Sequence, residues 1–397
     1  MALGERMTID ILCKVVDNYG DIGVVYRLAK ALAERAPEAK LRLVVDDLGA
    51  FAKLEPAVDP SLEAQELGAW TVLSWRARWP GFVDEPPSIV LECFACGRPD
   101  WLEERLFDPA RTDTRHIINV EHLSAEDWVD GLHLMPSLTR SALVKKWIFM
   151  PGFTPGSGGL ILDGAFMEAR GRWARARREG SLGNERLALA KRLGLPLADG
   201  DESALWLAAF SYERDYSAVM RSIAAYAAGG GRRPVLALAA SGRSQACFME
   251  AWERAGRPCA ALALPFLPQD DWDELLLACD FSIVRGEESL SRAALAGRPF
   301  LWQAYLQDEA HHQVKVAAFL EALRPFLADG DWQAVAEAHR EFNERQRDDA
   351  AHAGAEDILP LLAGLERLAA GYGAFAESLE KNGNLADKLL TFIATLV

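Results

Sequence analysis

The stretch MTIDILCKVVDNYGDIGVVYRLAKALAER, residues 7–35, contains the pattern that decides the fold. Its first part, MTIDILCKVVD, has the length and the apolar, β-branched composition of a buried strand. Its last part, IGVVYRLAKALAER, places apolar residues three and four positions apart, which is the spacing of a helix with one buried face. The segment DNYGDIG joins them, and its glycines permit a tight turn. A strand followed closely by a helix is therefore predicted.

The same alternation of strand and helix continues along most of the chain. In the first half, further strands are predicted in KLRLVVDD, PSIVLECF and RHIINVEH. In the second half, strands are predicted in SALWLAAFSYE, RPVLALAAS, CAALALPF, DFSIVR and RPFLWQAY. Apolar strands separated by helices indicate a parallel sheet that helices cover on both faces. The predicted fold class is therefore α/β, with two doubly wound, Rossmann-like domains that face each other across a ligand-binding cleft.

A change in composition separates the two halves. Around residues 151–165 the sequence reads PGFTPGSGGLILDG, which is rich in Gly and Pro and typical of a linker. We therefore expect an N-terminal domain over residues 1–165 and a C-terminal domain over 180–368, with a C-terminal helix at about 372–397 that packs back on the first domain. The Arg-rich stretch after the linker is interpreted as a solvated helix connecting the domains, with a basic binding face as the alternative. Its arginines are Arg170, Arg172, Arg175, Arg177 and Arg178.

Composition excludes several classes of protein. Half of the 397 residues are hydrophobic and a quarter are charged, as in globular proteins. The formal net charge of −15 argues against a protein that coats nucleic acid, because that binding requires clustered Lys and Arg. No apolar run approaches the ~18–20 residues that span a membrane. The six cysteines are sparse and lie mostly in apolar segments, so we expect a cytoplasmic protein with reduced thiols.

The first candidate site is the turn Asp17-Asn18-Tyr19-Gly20-Asp21-Ile22-Gly23. It follows the first strand and begins the first helix, where backbone N–H groups lack partners. It is not a dinucleotide-binding fingerprint, since the three-glycine spacing is missing. Two aspartates four residues apart could act as a general base and a group that orients the substrate. The alternative is that Asp21 only caps the helix, and the residues leave both interpretations open.

The second candidate site is the junction of a strand and a helix in FSIVRGEESLSRAAL. A helix that begins at the end of a strand suits a diphosphate, which accepts hydrogen bonds from N–H groups and from a guanidinium such as that of Arg285. A carboxylate such as Glu287 suits sugar hydroxyls, because it is a pure acceptor. Upstream, Phe266 and Gln269 flank a Pro-bounded loop and offer a ring and an amide for a pyrimidine base. The alternative for the glutamates is that they only complement the helix dipole in the first turn. The alternative for Phe266 is that it is a core residue.

The pair Cys93-x-x-Cys96 has no second pair at zinc spacing. We therefore interpret it as structural thiols and expect no metal site.

The sequence resembles the bacterial protein-arginine rhamnosyltransferases that modify translation elongation factor P, the EarP family. The segments that carry the resemblance occur in the family's order from residue 10 to about 315, and DNYGDIG and RGE-x-S are the specific ones. The others are ECFACGRPDW, LSAEDWVDGLHLMPS, PGFTPGSGGLI, AFSYE and PFLPQ. The sequence departs from the family's pattern at Glu288 and in YLQDEAHHQ, residues 305–313.

The resemblance implies a GT-B fold, a TDP-β-L-rhamnose donor, elongation factor P as the protein acceptor, and inversion at the anomeric carbon. No metal or other cofactor is implied. Asp21, Asp17 and Glu287 would be catalytic, with Asp21 the base that faces the arginine. The residues that bind the substrate or the donor would be Asn18, Tyr19, Gly20, Phe210, Ser211, Tyr212, Phe266, Gln269, Arg285, Gly286, Glu288, Ser289 and Tyr305. A nucleotide-sugar epimerase of the same build, or a module that binds nucleotide sugars without turnover, are the alternative functions.

Overall fold

The fold comes from a computed structural model that describes residues 7–16, 19–68, 70–77, 85–229, 232–306, 310–344 and 358–397. The chain divides into two compact units. The first comprises Met1–Asp163 together with Leu379–Val397, and the second comprises Gly164–Ser378. Within the described residues, no helix is long and apolar enough to cross a membrane.

The first unit is built on an eight-stranded sheet with the order β3-β4-β2-β1-β5-β6-β8-β7. Its strands are β1 (Thr8–Cys13), β2 (Lys40–Val45), β3 (Ala64–Leu67), β4 (Trp70–Ser74), β5 (Ile89–Cys93), β6 (Arg115–Val120), β7 (Pro136–Ser137) and β8 (Val144–Phe149). Its helices are α1 (Gly20–Arg35), α2 (Leu48–Leu54), α3 (Asp100–Leu106), α4 (Trp128–Leu132) and the C-terminal helix (Leu385–Ile393), α15 in chain order. The central strands pair in parallel, and the edge strands β3 and β7 are antiparallel.

The second unit is built on a five-stranded parallel sheet with the order β11-β10-β9-β12-β13. Its strands are β9 (Leu205–Ala209), β10 (Val235–Ala239), β11 (Ala260–Ala263), β12 (Phe281–Arg285) and β13 (Phe300–Gln303). Its helices are α5 (Gly164–Glu179), α6 (Leu182–Leu193), α7 (Ser217–Ala228), α8 (Arg243–Arg254), α9 (Gln269–Ala278), α10 (Gly286–Ala296), α11 (His311–Leu323), α12 (Asp329–Glu344), α13 (Leu359–Ala363) and α14 (Leu365–Lys381), whose last turn already belongs to the first unit. Every strand named in the sequence analysis is present, so the predicted succession of two doubly wound α/β units is confirmed.

The first strand and helix form in the way that their sequence pattern predicts. All six residues of β1 are buried, as expected for a central strand that is covered on both faces. The buried face of α1 includes Ile22, Val25 and Leu32, which belong to the same core cluster as Ile9 and Ile11 of β1. Burying apolar side chains of this size stabilises the fold by about 1.5–3 kcal/mol each. Helix α1 therefore holds its N-terminus against the carboxyl end of β1.

The Gly- and Pro-rich segment before the second unit is an ordered part of the first. Leu160 and Leu162 are buried, and Nδ2 of Asn384 donates a hydrogen bond of 2.7 Å to the Leu162 carbonyl. Gly159 has a φ of +75°, and a Cβ at that position would lie 2.5 Å from the Gly383 carbonyl oxygen. The boundary between the units, after Asp163, falls inside this segment, but the residues before it are packed in the first unit, because the glycines permit close contact with the returning C-terminal segment.

The Arg-rich stretch forms α5 and belongs to the second unit. Phe166 and Trp173 of this helix are buried, and Nη2 of Arg177 donates to the Cys279 carbonyl at 2.7 Å. The interpretation as a solvated connecting helix is therefore wrong, because one face of the helix is apolar and packs on its own unit.

The C-terminal return to the first unit begins at Leu379, later than the 372 that the sequence suggested. Tyr372 lies in the second unit, where its ring meets that of Phe300 at 5.4 Å between centroids. Leu385 and Leu389 of α15 join the core of the first unit, and Asp387 forms an ion pair of 2.7 Å with Arg35 at the end of α1. The aromatic packing of α14 is what keeps the earlier residues in the second unit.

Candidate active site

The carboxyl edge of the first sheet carries Asp21. Strand β1 lies between β2 and β5, so the chain order reverses beside it, and ligands bind α/β sheets at the crevice formed there. Asp21 lies in the first turn of α1 and is partly buried. Its Oδ2 accepts a hydrogen bond of 2.8 Å from the backbone N–H of Val16. The N-cap residue of α1 is Tyr19, so Asp21 is not the cap. Asp21 lies inside the first turn, and from there it anchors the loop that precedes the helix.

The neighbouring predicted residues divide into two groups. Tyr19 and Gly20 are partly buried, and the Tyr19 carbonyl accepts from the N–H of Gly23 at 2.9 Å as the helix begins. Asp17 and Asn18 lie outside the described residues, so their predicted roles stay predictions.

A strained turn follows the neighbouring strand β5 at the same edge of the sheet. Phe94 and Ala95 have φ angles of 59° and 51°, a region that non-glycine residues rarely occupy. Buried Asn119 holds the turn, because its Oδ1 accepts from the N–H of Ala95 at 3.0 Å and its Nδ2 donates to Oε1 of Glu121. Strain of this kind is concentrated at functional sites. Asn119 and Glu121 are not among the residues predicted from the sequence, although polar residues near the end of the apolar strand RHIINVEH are a usable signal.

The cysteines of this edge are neutral thiols at pH 7. Burial raises the pKa of Cys96 to about 12, and burial also raises the pKa values of Cys13 and Cys93, with neighbouring groups that include Asp21 adding to the shift. A thiol ligates zinc as the thiolate, which this environment opposes. The part of the chain that the structure describes contains no group of three or more His, Cys, Asp or Glu side chains arranged to hold a metal ion.

The carboxyl edge of the second sheet brings most of the predicted donor residues together. The chain order reverses between β9 and β12, which are adjacent in the sheet. Phe210, Ser211 and Tyr212 follow β9, and Arg285 and Gly286 lie where β12 meets α10. Phe266 follows β11 and Tyr305 follows β13. Since the strands are parallel, these segments all emerge at one edge of the sheet.

Arg285 is the centre of this cluster. Its guanidinium carbon lies 4.7 Å from the centroid of the Phe210 ring and 4.6 Å from that of Tyr212, within the range of cation–π attraction. The Tyr212 ring in turn meets the ring of Tyr305 edge to face, with centroids 5.7 Å apart. Gly286 has a φ of +63° and begins α10 directly after this arginine. The arrangement presents a fixed positive charge beside a helix N-terminus, which is the local chemistry of an anion site.

Buried hydrogen bonds fix the loop that carries these rings. The N–H of Tyr212 donates to Oε1 of buried Gln303 at 2.9 Å. Ser211 is buried, and its hydroxyl contacts the hydroxyl of Tyr216 and the carbonyl of Tyr212. Ser211 is therefore used inside the protein, where it holds the loop that carries Tyr212. Gln303 and Tyr216 were not identified from the sequence.

The first turn of α10 holds three predicted residues in different environments. Oε1 of Glu287 forms an ion pair of 2.9 Å with Nζ of Lys315 on α11, and each side chain is about one fifth exposed. Oε1 of Glu288 lies 4.0 Å from Nε of Arg292, one turn along the helix. Ser289 is 4% exposed. Glu287 is thus linked to a second helix through Lys315, a partner that its local sequence does not indicate.

The Glu287→Gln variant is expected to lower donor binding or turnover about ten- to a hundredfold, because a hydrogen bond to a charged acceptor contributes roughly 1.5–3 kcal/mol. Steady-state kinetics and melting temperature measured on the same variant test this. Lys315→Gln is the matched control, since it breaks the same ion pair from the other side. If Glu287 acts only through the pair, both variants will melt lower and keep normal kinetics, which would contradict a role in donor binding.

The predicted base-binding residues lie at the edge of this cluster. Phe266 is 47% exposed, so it is not a core residue. Gln269 is the first residue of α9 and is partly buried. The ring of Phe210 meets Trp272 of the same helix at 5.4 Å, edge to face. Phe266 lies three residues before this helix, and an exposed ring can stack on a planar ligand.

Comparison with known proteins identifies relatives along nearly the whole chain. Residues 9–394 match the family model described as "Elongation-Factor P (EF-P) rhamnosyltransferase EarP". A protein-arginine rhamnosyltransferase of Pseudomonas putida is 38% identical over 350 residues, which cover 85% of this chain and 87% of the relative. A protein-arginine rhamnosyltransferase of Neisseria meningitidis serogroup B is 33% identical over 347 residues, which cover 84% of this chain and 82% of the relative.

Solved structures agree on the fold. The structure described as "Structural basis for EarP-mediated arginine glycosylation of translation elongation factor EF-P" matches with a TM-score of 0.59 and 24% identity, covering 98% of this chain and 99% of that one. UDP-GlcNAc 2-epimerase from Neisseria meningitidis matches with a TM-score of 0.53 and 8% identity, covering 98% and 100%. At these identities the likeness shows the fold alone, which is of the GT-B type. Because the family model and the relatives agree over nearly the whole chain, the protein belongs to the EarP family of protein-arginine rhamnosyltransferases and is a glycosyltransferase.

Proposed function

We propose that this enzyme transfers rhamnose from TDP-β-L-rhamnose to an arginine side chain of translation elongation factor P, with inversion at the anomeric carbon. The observation that carries the proposal is the Arg285 guanidinium, held by the rings of Phe210 and Tyr212 at the N-terminus of α10 in a member of this family. A cytoplasmic location follows from the acceptor, a translation factor. It is supported by the six cysteines, all free thiols.

The donor is proposed to bind at the carboxyl edge of the second sheet. Arg285 and the N–H groups that begin α10 are available to the two phosphates, which leave as TDP when the sugar is transferred. Phe266 is available to stack on the thymine, and Gln269 offers its amide to the base. Glu287 offers a carboxylate for a sugar hydroxyl.

Asp21 is proposed to act on the acceptor arginine. A guanidinium has a pKa of about 12.5–13.8 and an aspartate about 3.9, so full proton transfer before the reaction would be uphill by roughly nine units, or ~12 kcal/mol. Asp21 therefore orients the guanidinium through hydrogen bonds and turns the attacking nitrogen out of conjugation. The proton moves to the carboxylate as the C–N bond forms and the bond to the diphosphate breaks. Attack on the face opposite the diphosphate inverts the anomeric carbon.

The intact mass of elongation factor P, measured after incubation with TDP-rhamnose and this protein, tests the proposed function. A gain of one deoxyhexose on an arginine is expected. An epimerase would alter the nucleotide sugar and leave the acceptor unmodified, whereas a binding module would retain the donor unchanged. An unmodified acceptor under conditions in which the donor binds would overturn the proposal.

The transfer is proposed to need no metal ion. The leaving diphosphate has other partners for its charge, namely Arg285 and the N-terminus of α10. Turnover is therefore expected to be unchanged after treatment with EDTA and after addition of Mg²⁺ or Mn²⁺. Steady-state rates measured with and without chelator give the answer, and activity that EDTA removes and a divalent ion restores would contradict this prediction.

The Phe266→Ala variant should weaken TDP-rhamnose binding by ~1–3 kcal/mol, the range observed for a base that stacks on an aromatic side chain. Because Phe266 is 47% exposed, its loss should leave the melting temperature nearly unchanged. Calorimetric titration with TDP-rhamnose measures the effect. Unchanged donor affinity would mean that the nucleotide base binds elsewhere.

A further inference from the structure

One arginine of α5 takes part in a cluster that the transfer reaction does not use. Arg177, Arg186, Arg233 and Arg298 surround the carboxylate of Asp280, which is 3% exposed. They come from α5, from α6, from the loop before β10 and from the loop before β13. The basic face that the sequence suggested in the Arg-rich stretch is thus partly turned inward. We call these five residues the arginine cluster.

The contacts in the arginine cluster are unequal. Nη2 of Arg186 donates to Oδ2 of Asp280 at 2.8 Å, whereas Nη1 of Arg233 lies 3.4 Å from the same oxygen. Nη2 of Arg298 is 3.8 Å from Oδ1. Arg177 interacts with Asp280 only electrostatically and directs its Nη2 to the Cys279 carbonyl. Only Arg186 therefore has a close, fully formed pair with the carboxylate.

The arginine cluster is remote from the donor residues. Asp280 comes just before β12, and Arg298 and Arg233 come just before β13 and β10. The strands are parallel, so these residues lie at the amino edge of the sheet. Arg285 lies at the opposite, carboxyl edge. A ligand of the arginine cluster would occupy a second site.

The charges in the arginine cluster do not balance. Four guanidiniums face one carboxylate, and Asp280 is the only carboxylate within ion-pair distance of any of the four among the residues that the structure describes. The Nε atoms of Arg177 and Arg298 are inaccessible to solvent and have no hydrogen-bond partner in that same part of the chain. A buried polar atom without a partner is costly, and a buried charge more so.

We propose that the arginine cluster binds a small oxyanion of the phosphate class. Such an anion supplies the acceptor oxygens and the negative charge that the cluster lacks, and guanidinium groups match its geometry. Arg233 and Arg298 form the accessible side, with side chains 43% and 24% exposed.

The local electrostatics agree with an anion site. Burial lowers the pKa of Arg177 to about 9, and the charge of Arg298 adds to this shift. Burial likewise lowers the pKa of Arg298, with Asp280 acting in the opposite direction. Both guanidiniums are therefore charged at a cost, which a bound anion would reduce.

A purely structural role explains only part of the cluster. Arg186 donates to the carbonyls of Ala204 and Ala278 as well as to Asp280, so it ties α6 to β9 and α9. The Arg186–Asp280 pair is complete without the other three arginines. Oδ2 of Asp280 already accepts from Arg186 and from the backbone N–H of Trp206. Arg233 and Arg298 lie 3.4 Å and 3.8 Å from the carboxylate, so neither guanidinium forms a close pair with it.

The melting temperature of the full-length protein tests the proposal. Sodium phosphate is added at constant ionic strength, with sodium chloride as the balancing salt. If phosphate binds with a Kd of ~1 mM, 10 mM should raise the melting temperature by about 2–3 °C. Arg298→Gln should weaken phosphate binding at least tenfold and remove most of this rise. If that variant fails to fold, Arg233→Gln replaces it, because this side chain is the more exposed.

Two control variants separate the arginine cluster from other effects. Arg254→Gln removes an exposed arginine of the same unit, whose Nη2 lies 3.4 Å from Asp215, and should keep the full response. Because phosphate can also bind beside Arg285, the titration is repeated in an Arg285→Ala background, where Arg298→Gln should still remove most of the remaining rise. Methyl phosphate carries an ester group, as does the phosphoryl group of a larger molecule, so comparing it with phosphate distinguishes such a group from a free ion. Stabilisation by phosphate or by methyl phosphate supports the proposal. An equal rise in Arg298→Gln and wild type, or no rise in wild type, would overturn it without affecting the proposed transferase function.

Discussion

The Asp21→Asn variant is expected to lower the rate of arginine rhamnosylation by about 10²–10⁴-fold, the range that a positioned proton acceptor contributes. The substitution keeps the shape of the side chain and an oxygen that can accept from the N–H of Val16. It removes the negative charge and the ability to take a proton. The affinity for TDP-rhamnose should stay within a few-fold of wild type, because the donor is proposed to bind at the second unit.

Asp46→Asn is the matched control for this experiment. Oδ1 of Asp46 accepts from the N–H of Val15 at 2.8 Å, so it anchors the same loop through the same kind of bond one residue earlier. If the loop needs a carboxylate only for its conformation, both variants should lose similar activity. Single-turnover rates and donor titrations distinguish the cases. Turnover near wild type in Asp21→Asn would leave Asp21 as a structural anchor.

The parts of the fold that the sequence predicted are those with strong local patterns. Strands β1 and β12 are apolar along their whole length, and α1 has a clear helical spacing, so each element is recognisable from its own residues. Strands β3, β4, β7 and β8 were not predicted. The sequence of β8, VKKWIF, contains two adjacent lysines, and only its pairing with β6 and β7 shows it to be a strand. Its structure is decided by neighbours that are distant in sequence.

The same difference separates the predicted and the missed parts of the candidate site. Asp21 and Arg285 lie at junctions of strand and helix, which a single sequence can locate. The support of the site depends on long-range contacts: Lys315 reaches Glu287 from a different helix, and Gln303 reaches Tyr212 from a different strand. A glutamine at the end of an apolar strand has no local property that distinguishes it. Such residues are found only when the fold brings them together.

The Arg285→Ala variant is expected to lower kcat/KM for TDP-rhamnose by about 10²–10³-fold, the effect of removing one group that stabilises developing charge in a transition state. The guanidinium lies within 5 Å of the ring centroids of both Phe210 and Tyr212, so its loss also removes a contact that fixes both rings. Part of the effect should therefore appear in donor affinity, and part in the rate at which TDP leaves.

Arg285→Lys separates the two contributions, because lysine keeps the charge but loses the planar, forked guanidinium that stacks and binds bidentately. If charge alone matters, Lys should restore most of the activity; if stacking and geometry matter, donor affinity should stay low. Arg257→Ala controls for the loss of a stacked arginine, since that guanidinium lies 5.1 Å from the Trp252 ring on an exposed surface of the same unit. Donor titration and steady-state kinetics on all three variants give the comparison. Arg285 supplies the central positive charge of this edge. An Arg285→Ala enzyme that binds and uses TDP-rhamnose like wild type would therefore mean that the diphosphate binds elsewhere.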